Sequence, residues 1–175
     1  MFEVLDLMCE PVRSTKYSAY VDLFAREDIT IRAGETKIVK LGVKLDLDVI
    51  KEDLISTHRL SMQIDDLWDK FLKSHYLEIA LRSSLGVKGL IIANGIGIID
   101  LDYPDEIGLI VHNPQNIKLF KIGTSGEMII KNFKEPFEIK KGDKVAQCTL
   151  KEHKGYLMGY ESDIIRDGGF GSTGK

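Results

Sequence analysis

The last ten residues, 166–175, combine residue types that can hold a phosphorylated ligand. Glycines let the backbone approach a ligand closely, and N–H groups beside Ser172 and Thr173 can bind phosphate oxygens. Arg166 can add a charge-assisted contact to the same anion, and Phe170 offers a flat face to a base or a sugar. A glycine-rich terminus is more often a flexible tail, so this segment indicates nucleotide binding only when other motifs support it.

Length, charge and cysteine content exclude several classes of protein. The 175 residues suit one domain with a sizeable core, and the net charge of −3 argues against direct nucleic-acid binding. Cys9 and Cys148 form no disulfide framework or metal motif, so we expect a reducing, cytoplasmic compartment. No apolar run approaches the roughly 20 residues of a membrane span, so we expect no membrane partner.

Most of the chain has the pattern of short β-strands. Residues 29–31 and 36–45 flank a turn, and residues 96–99 and 107–112 are predicted to form a hairpin. A second predicted hairpin lies within residues 114–131. Further strands are expected at residues 76–81, 90–93, 137–139, 144–150 and 156–160. Many short strands separated by turns predict an all-β sandwich or jelly roll.

Between residues 48 and 75, the spacing of apolar residues changes from that of a strand to that of a helix. One face of a helix is predicted by the spacing of five residues, Ile64, Leu67, Trp68, Phe71 and Leu72. Ser61 is a candidate cap for this helix, and residues 49–55 predict a shorter helix before it. We expect the Trp68 face to pack against the β core rather than to bind a ligand.

Five segments, taken in order, resemble the five motifs of the homotrimeric dUTPase family. They are residues 18–25, 82–89, 93–106, 142–147 and 166–175. The resemblance implies a distorted jelly-roll β-barrel that hydrolyses dUTP to dUMP and pyrophosphate, keeping uracil out of DNA. Residues 82–86 are similar to those of phage-encoded members, which implies the cytosol of a bacterial or phage-infected cell.

The third motif carries the implied catalytic and base-binding residues. Asp100 follows an apolar strand, and the resemblance implies that its carboxylate activates the attacking water. Tyr103 corresponds to a ring that packs beneath deoxyribose and leaves no room for a 2′-hydroxyl. Asn94, Gly95 and Ile99 correspond to the strand edge that reads uracil. Without the resemblance, the sequence around Asp100 would indicate only a turn.

The other motifs carry the implied contacts to the triphosphate. The resemblance assigns phosphate binding to Arg82, Ser83, Ser84 and Gln147. Asp22 corresponds to the aspartate that holds waters around Mg²⁺, the implied cofactor. The tail residues implied to close over uracil and the γ-phosphate are Arg166, Phe170, Gly171, Ser172 and Thr173.

The resemblance also implies a homotrimer with shared active sites and a single domain over residues 1–175. Each pocket would take the base and catalytic segment from one chain, the phosphate motifs from a second and the mobile arm, residues 164–175, from a third. Residues 48–75 and 114–131 are extra to the family pattern. Tyr20 and Leu81 depart from the usual motif residues, and the fifth motif is one residue short.

Two alternative functions remain open at this point. A dCTP deaminase of the same fold needs a glutamate ten positions after Asp100, where this chain has Ile110. The other alternative is a dUTP-responsive regulatory module, whose two extra segments would contact a protein partner.

Overall fold

The computed structural model describes residues 1–58, 64–114, 118–121, 128–131, 136–159, 162 and 168–169. Side chains are described for these residues except 57–58, 64, 118–121 and 128–131. None of the helices in these ranges is long and apolar enough to cross a membrane.

Short β-strands are the commonest regular elements of the described chain, as the strand pattern predicts. The first seven strands are β1 (Phe2–Val4), β2 (Val21–Phe24), β3 (Ile29–Ile31), β4 (Thr36–Lys40), β5 (Val43–Leu45), β6 (His75–Leu81) and β7 (Ile91–Ile92). The remaining strands are β8 (Gly97–Asp100), β9 (Gly108–His112), β10 (Lys118–Lys121), β11 (Met128–Lys131), β12 (Phe137–Ile139) and β13 (Lys144–Glu152). The helices are α1 (Leu47–His58), α2 (Ile64–Ser74) and α3 (Ser83–Val87), with 3-10 turns at Leu7–Cys9 and Gly155–Met158.

Two larger sheets enclose the core. One has the strand order β2-β13-β6-β8 and the other β4-β9-β7, and all of their pairs are antiparallel. Alternate residues point inward, so Leu77 and Ile79 of β6 are buried, as are Leu109 and Val111 of β9. Three further two-stranded sheets are formed by the pairs β1-β5, β3-β12 and β10-β11. The all-β, jelly-roll-like architecture expected from the sequence is therefore confirmed.

Three local predictions about strands were wrong. β8 and β9 do not form a hairpin, since β8 pairs with β6 while β9 pairs with β4 and β7. The expected strand over residues 36–45 is interrupted at Gly42, which has a φ of 64° and packs tightly against Cys9. The strand expected at residues 156–160 is instead a 3-10 turn over Gly155–Met158.

α1 and α2 precede β6 in the chain, and α2 packs at the start of that strand, whereas α3 follows its end. The Asp46 carboxylate accepts hydrogen bonds from the N–H groups of Asp48 and Val49, which caps α1. α2 leads directly into β6 and contacts both that strand and the Gly155–Met158 turn. Trp68 and Phe71 pack against the hydrophobic core, as the helical spacing predicts. The proposed cap residue Ser61 lies outside the described residues.

Candidate functional site

Three strands bring charged side chains together at one end of the four-stranded sheet. Asp22 on β2 lies directly opposite Gln147 on β13, so their side chains share one face. Arg82 immediately follows β6, and its guanidinium donates to the Asp22 carboxylate. Lys144 Nζ donates to Asp22 Oδ2 over 2.9 Å. We refer to Asp22, Arg82, Lys144 and Gln147 as the Asp22 cluster.

Asp22 is the buried centre of this cluster. Its side chain is 6% exposed, whereas those of Arg82 and Lys144 are 28% and 41% exposed. Burial alone would raise the Asp22 pKa, but hydrogen bonds from Ser14, Lys144 and Arg82 outweigh burial and hold this pKa below its usual value. One ionised carboxylate and two cations leave a net positive charge, which suits an anionic ligand.

A pocket of about 140 Å³ lies beside β8, at the edge of the four-stranded sheet. Three predicted base-site residues, Asn94, Ile99 and Tyr103, line it. Its other lining residues are Ile79, Ile92, Gly97, Ile98, Gly108, Leu109 and Ile110. The walls are therefore mostly apolar, while an edge strand presents backbone N–H and C=O groups to a ligand.

The turn between β7 and β8 forms one side of this pocket. Gly95 has a φ of 78°, and the Ile96 N–H donates to Asn94 O over 2.9 Å. The left-handed conformation at Gly95 is strained for other residues, so the Asn-Gly pair fixes how Asn94 is presented. A Cβ at Gly97 would lie 3.1 Å from Ile79 Cβ, so a larger residue there would crowd that side chain.

Asp100 is the last residue of β8 and is exposed near the pocket. It lies directly opposite Tyr76 on β6, so both side chains point to the same face of the sheet. This position gives the carboxylate access to solvent at the end of a strand that also contributes Ile98 and Ile99 to the pocket. The predicted catalytic and base-binding residues are thus neighbours in the fold.

Asp100 and Arg82 lie at opposite ends of β6, whereas the pocket residue Gly97 lies opposite Ile79, midway along this strand. Tyr76, opposite Asp100, is six residues from Arg82, a distance of about 20 Å along an extended strand. Within one chain, the structure therefore brings Asp22, Arg82 and Gln147 together, and it brings the base residues together, but it keeps the phosphate residues apart from Asp100. Ser83 and Ser84 are exposed at the start of α3, next to Arg82.

Only part of the C-terminal segment is described. Gly168 is buried, and Gly169 lies against the ring of Tyr103 in the same chain. The other predicted residues of the tail are outside the described residues: Arg166, Phe170, Gly171, Ser172 and Thr173.

Sequence reasoning missed two sets of polar contacts. Lys144 belongs to the fourth motif, but only strand pairing reveals that it reaches Asp22, 122 residues away. Tyr20, noted only as a departure from the family pattern, donates to the buried Glu78 carboxylate, which also accepts from Tyr76. The hydrogen bond to Glu78 is the main reason that the Tyr20 pKa rises to about 12.

Among the described residues, no group of three or more His, Cys, Asp or Glu side chains converges to hold a metal ion. A carboxylate has roughly four acceptor positions. Among the described residues, three donors contact Asp22: Arg82 at Oδ1, and Ser14 and Lys144 at Oδ2. The residue can thus accept one further hydrogen bond, as a metal-bound water requires.

The described residues combine an all-β fold with a mostly apolar pocket and a cluster of net positive charge that suits an anionic ligand. The chain is 31% identical over 172 residues to deoxyuridine 5′-triphosphate nucleotidohydrolase from Rickettsia akari, and the match covers 94% of this chain and 87% of that protein. The mouse protein of the same name is 31% identical over 170 residues, covering 94% and 78%. The chain therefore belongs to the deoxyuridine 5′-triphosphate nucleotidohydrolase (dUTPase) family.

Solved structures of this family share the fold. The Streptococcus mutans dUTPase aligns with a TM-score of 0.56 and 21% identity, covering 86% of this chain and 94% of that one. A dUTPase mutant from phage phi11 of Staphylococcus aureus, described with a structural Mg(II) ion, aligns with a TM-score of 0.57 and 18% identity, covering 98% of both chains. No family model matches the chain.

Proposed function

We propose that this chain hydrolyses dUTP to dUMP and pyrophosphate. The observation that carries the proposal is the position of Asp100 at the end of the strand whose preceding residues line the pocket with Asn94 and Tyr103. This arrangement would hold the nucleoside part of a nucleotide in the pocket, with the α-phosphate near the Asp100 carboxylate. Membership of the dUTPase family indicates that dUTP is the nucleotide that this site binds.

Uracil recognition would rest on the backbone of β8 and on Asn94. Uracil carries an N3–H donor between two carbonyl acceptors, and an exposed strand edge offers matching C=O and N–H groups. The apolar side chains of Ile92, Ile98 and Ile110 would cover the ring faces and edge. The Tyr103 ring, which is 7% exposed, would pack beneath deoxyribose and disfavour a 2′-hydroxyl.

Asp100 would act as the general base. Its carboxylate accepts a proton from water as the water oxygen bonds to the α-phosphorus, and the bond from that phosphorus to the bridging oxygen breaks. Pyrophosphate leaves, and dUMP remains. The exposed position of Asp100 allows the proton to pass to solvent afterwards.

A complete site would need more than one chain. The Asp22 cluster is about 20 Å from Asp100 along β6, too far for both to contact one triphosphate in the same chain. We infer that Arg82, Lys144 and Gln147 of one subunit bind the phosphates of a nucleotide held by the next, as in a homotrimer. Ser83 and Ser84 would add hydroxyl contacts beside Arg82.

Mg²⁺ fits this site only together with the nucleotide. The cluster carries a net positive charge, which repels a free cation, but a triphosphate reverses the local charge. Asp22 would then accept a hydrogen bond from a metal-bound water. The metal would neutralise charge on the phosphates and favour departure of pyrophosphate.

The two alternatives have less support. Ile110 lines the pocket, so the position that a deaminase needs for its glutamate carries an apolar side chain. A regulatory role remains a prediction, since no contact among the described residues identifies a protein partner.

The deciding experiment follows dUTP, dCTP, dTTP and UTP separately with the purified chain and Mg²⁺. We expect dUMP from dUTP only. Asp100→Asn should lower kcat by about 100-fold or more while leaving dUTP affinity within a fewfold. Asp105→Asn, a similar change at an exposed residue of the same loop, is the control. Wild-type turnover in Asp100→Asn would refute the mechanism, and deamination of dCTP would refute the assignment.

A further inference from the structure

The carboxylate of Glu106 joins the segment between β8 and β9, residues 101–107, to a distant part of the chain. Its Oε1 accepts a hydrogen bond from the Gly42 N–H over 2.9 Å, and its Oε2 accepts one from Arg26 Nη1 over 2.8 Å. A charged acceptor strengthens both hydrogen bonds, and the side chain is only 16% exposed, so water competes little for them. Glu106 therefore fixes one end of this segment at the break between β4 and β5.

The break at Gly42 makes this attachment possible. Gly42 has a φ of 64°, so the backbone turns between β4 and β5 and the Gly42 N–H donates to the Glu106 carboxylate. On either side of the break, the Leu41 N–H donates to Ile107 O over 3.0 Å, and the Ile107 N–H donates to Val43 O over 2.9 Å. Three hydrogen bonds around the break thus hold residues 106 and 107 in place.

Tyr103 lies between this attachment and the end of β8. The Tyr103 N–H donates to Asp100 O over 3.1 Å, and Asp100 is held by the pairing of β8 with β6. On the other side, the Tyr103 hydroxyl donates to Glu106 O over 3.4 Å. The ring is buried and lines the pocket. The position of the ring in the pocket therefore depends on where Glu106 is held.

We infer that Glu106, with Arg26 as its partner, is a positioning residue that sets the selection of deoxyribose over ribose. The inference rests on the proposed function, in which the Tyr103 ring packs beneath deoxyribose and disfavours a 2′-hydroxyl. Glu106 holds the segment that carries this ring, so the ring stays close enough to the sugar to exclude the hydroxyl. Loss of Glu106 should therefore alter the choice between the two sugars more than the turnover of dUTP.

Binding of two non-hydrolysable probes tests this inference. The α,β-imido analogues of dUTP and UTP differ only at the 2′ position, and calorimetry gives the ratio of their dissociation constants without turnover. A site of this kind rejects an added hydroxyl by about 100-fold, so Glu106→Ala, which removes both contacts, should lower the ratio about tenfold. A ratio within twofold of the wild-type value would overturn the inference.

A double substitution tests whether Glu106 acts through the ring. Tyr103→Ala removes the ring and should by itself remove most of the discrimination between the two analogues. If Glu106 acts only by placing Tyr103, adding Glu106→Ala to Tyr103→Ala should not lower the ratio further. The same tenfold loss with and without the ring would overturn the inference, because Glu106 would then act independently of Tyr103.

Glu35→Ala is the matched control. The Glu35 carboxylate also accepts from a backbone N–H and a guanidinium, those of Arg32, over 2.7 and 3.4 Å. Glu35 precedes β4, whereas Gly42 follows it, a separation of about 20 Å along the strand. We expect Glu35→Ala to leave the ratio unchanged, whatever its effect on the thermal midpoint. A purely structural role for Glu106 would make the two variants alike, with lower midpoints and wild-type ratios.

Two milder variants keep the test decisive if Glu106→Ala fails to fold. Arg26→Ala removes the ion pair but keeps the hydrogen bond from the Gly42 N–H, and Arg26→Lys keeps a cation at the same place. We expect the ratio to fall about threefold in Arg26→Ala and to return toward the wild-type value in Arg26→Lys. Wild-type ratios in both variants would overturn the role of Arg26.

The binding ratio and the turnover assay separate this inference from the proposed function. A wild-type chain that prefers the dUTP analogue, loses this preference in Glu106→Ala and releases no dUMP would refute the proposed hydrolysis alone. A chain that hydrolyses dUTP and keeps its preference in Glu106→Ala would overturn the inference alone. Equal binding of the two analogues by the wild-type chain would also overturn it, because there would be no discrimination for Glu106 to set.

Discussion

Replacing Asp22 by asparagine should both destabilise the fold and weaken nucleotide binding. The substitution keeps the shape of the side chain but removes the charge that holds Arg82 and Lys144. It also exchanges one carboxylate oxygen for an N–H donor, which faces the donors that now contact Asp22. The two cations therefore lose their common anchor at the junction of β2, β13 and β6.

The exposure of each partner sets the size of the effect. Removing one member of a fully buried ion pair costs about 3–5 kcal/mol, whereas an exposed pair contributes about 1 kcal/mol or less. Asp22 is 6% exposed, but Arg82 and Lys144 are 28% and 41% exposed and can be hydrated after the change. We therefore expect the free energy of unfolding to fall by about 2 kcal/mol, a shift of roughly 4–8 °C in the thermal midpoint.

Asp28→Asn is the matched control. Asp28 also accepts a hydrogen bond from a lysine, Lys140, but both side chains are 63% exposed. The same chemical change at this surface pair should have a much smaller effect. Stability is measured by chemical denaturation at one fixed chain concentration, because the proposed homotrimer would make the midpoint depend on concentration. The KM for dUTP is measured in parallel, and we expect it to rise only in Asp22→Asn.

The effect of Asp22→Asn should depend on pH in a defined direction. The Asp22 pKa is lowered in the folded chain, so its contribution is present above the unfolded pKa, near 3.8, and is lost as pH falls through the folded value. The stability difference between wild type and Asp22→Asn should therefore be constant near neutrality and shrink below about pH 4. Equal stability of the two proteins at pH 7, or an unchanged KM, would refute the role assigned to Asp22.

Three further predictions address the tail, the Tyr20 contact and the cysteines. A chain truncated after Arg166 should keep the fold and the assembly state of the full chain, with turnover lowered on the order of a hundredfold, measured by light scattering and dUMP formation. Tyr20→Phe should reduce the free energy of unfolding by about 1 kcal/mol at pH 7. Since the Tyr20 pKa is raised from 10.0 to about 12, that difference should decline as pH rises through this interval in denaturation curves. Both cysteines are buried, and burial raises the pKa of Cys9 and raises that of Cys148 to about 12, so the native chain should react with a thiol reagent at pH 8 only after unfolding.

Strand and helix types followed well from the sequence because they depend on local periodicity. Trp68, Phe71 and Leu72 of α2 pack against the core at the predicted spacing, and β6 covers the expected segment at residues 76–81. The Asn94-Gly95 pair also forms a turn, since Gly95 adopts a left-handed conformation that glycine accommodates at little cost.

Strand partners did not follow from the sequence. Residues 96–99 and 107–112 have the spacing of a hairpin, yet β8 and β9 belong to different sheets. The short connection between β8 and β9 favours a hairpin, but each strand buries more apolar surface by pairing within a different sheet. This burial outweighs the advantage of pairing with the neighbour in the chain. The break in the strand at Gly42 could not be predicted from the sequence either, because it depends on the close approach of Cys9 from a distant segment.

The sequence by itself determined which residues could do the chemistry and in what order they occur. The sequence shows Asp100 after an apolar segment, Arg82 followed by two serines, and a glycine-rich C-terminal segment. Only the tertiary structure decided which of them meet. Asp22 and Arg82 become partners across 60 residues, while β6 separates the Asp22 cluster from Asp100 by about 20 Å. Such distances depend on long-range strand pairing, which is governed by the packing of the whole barrel rather than by any local pattern.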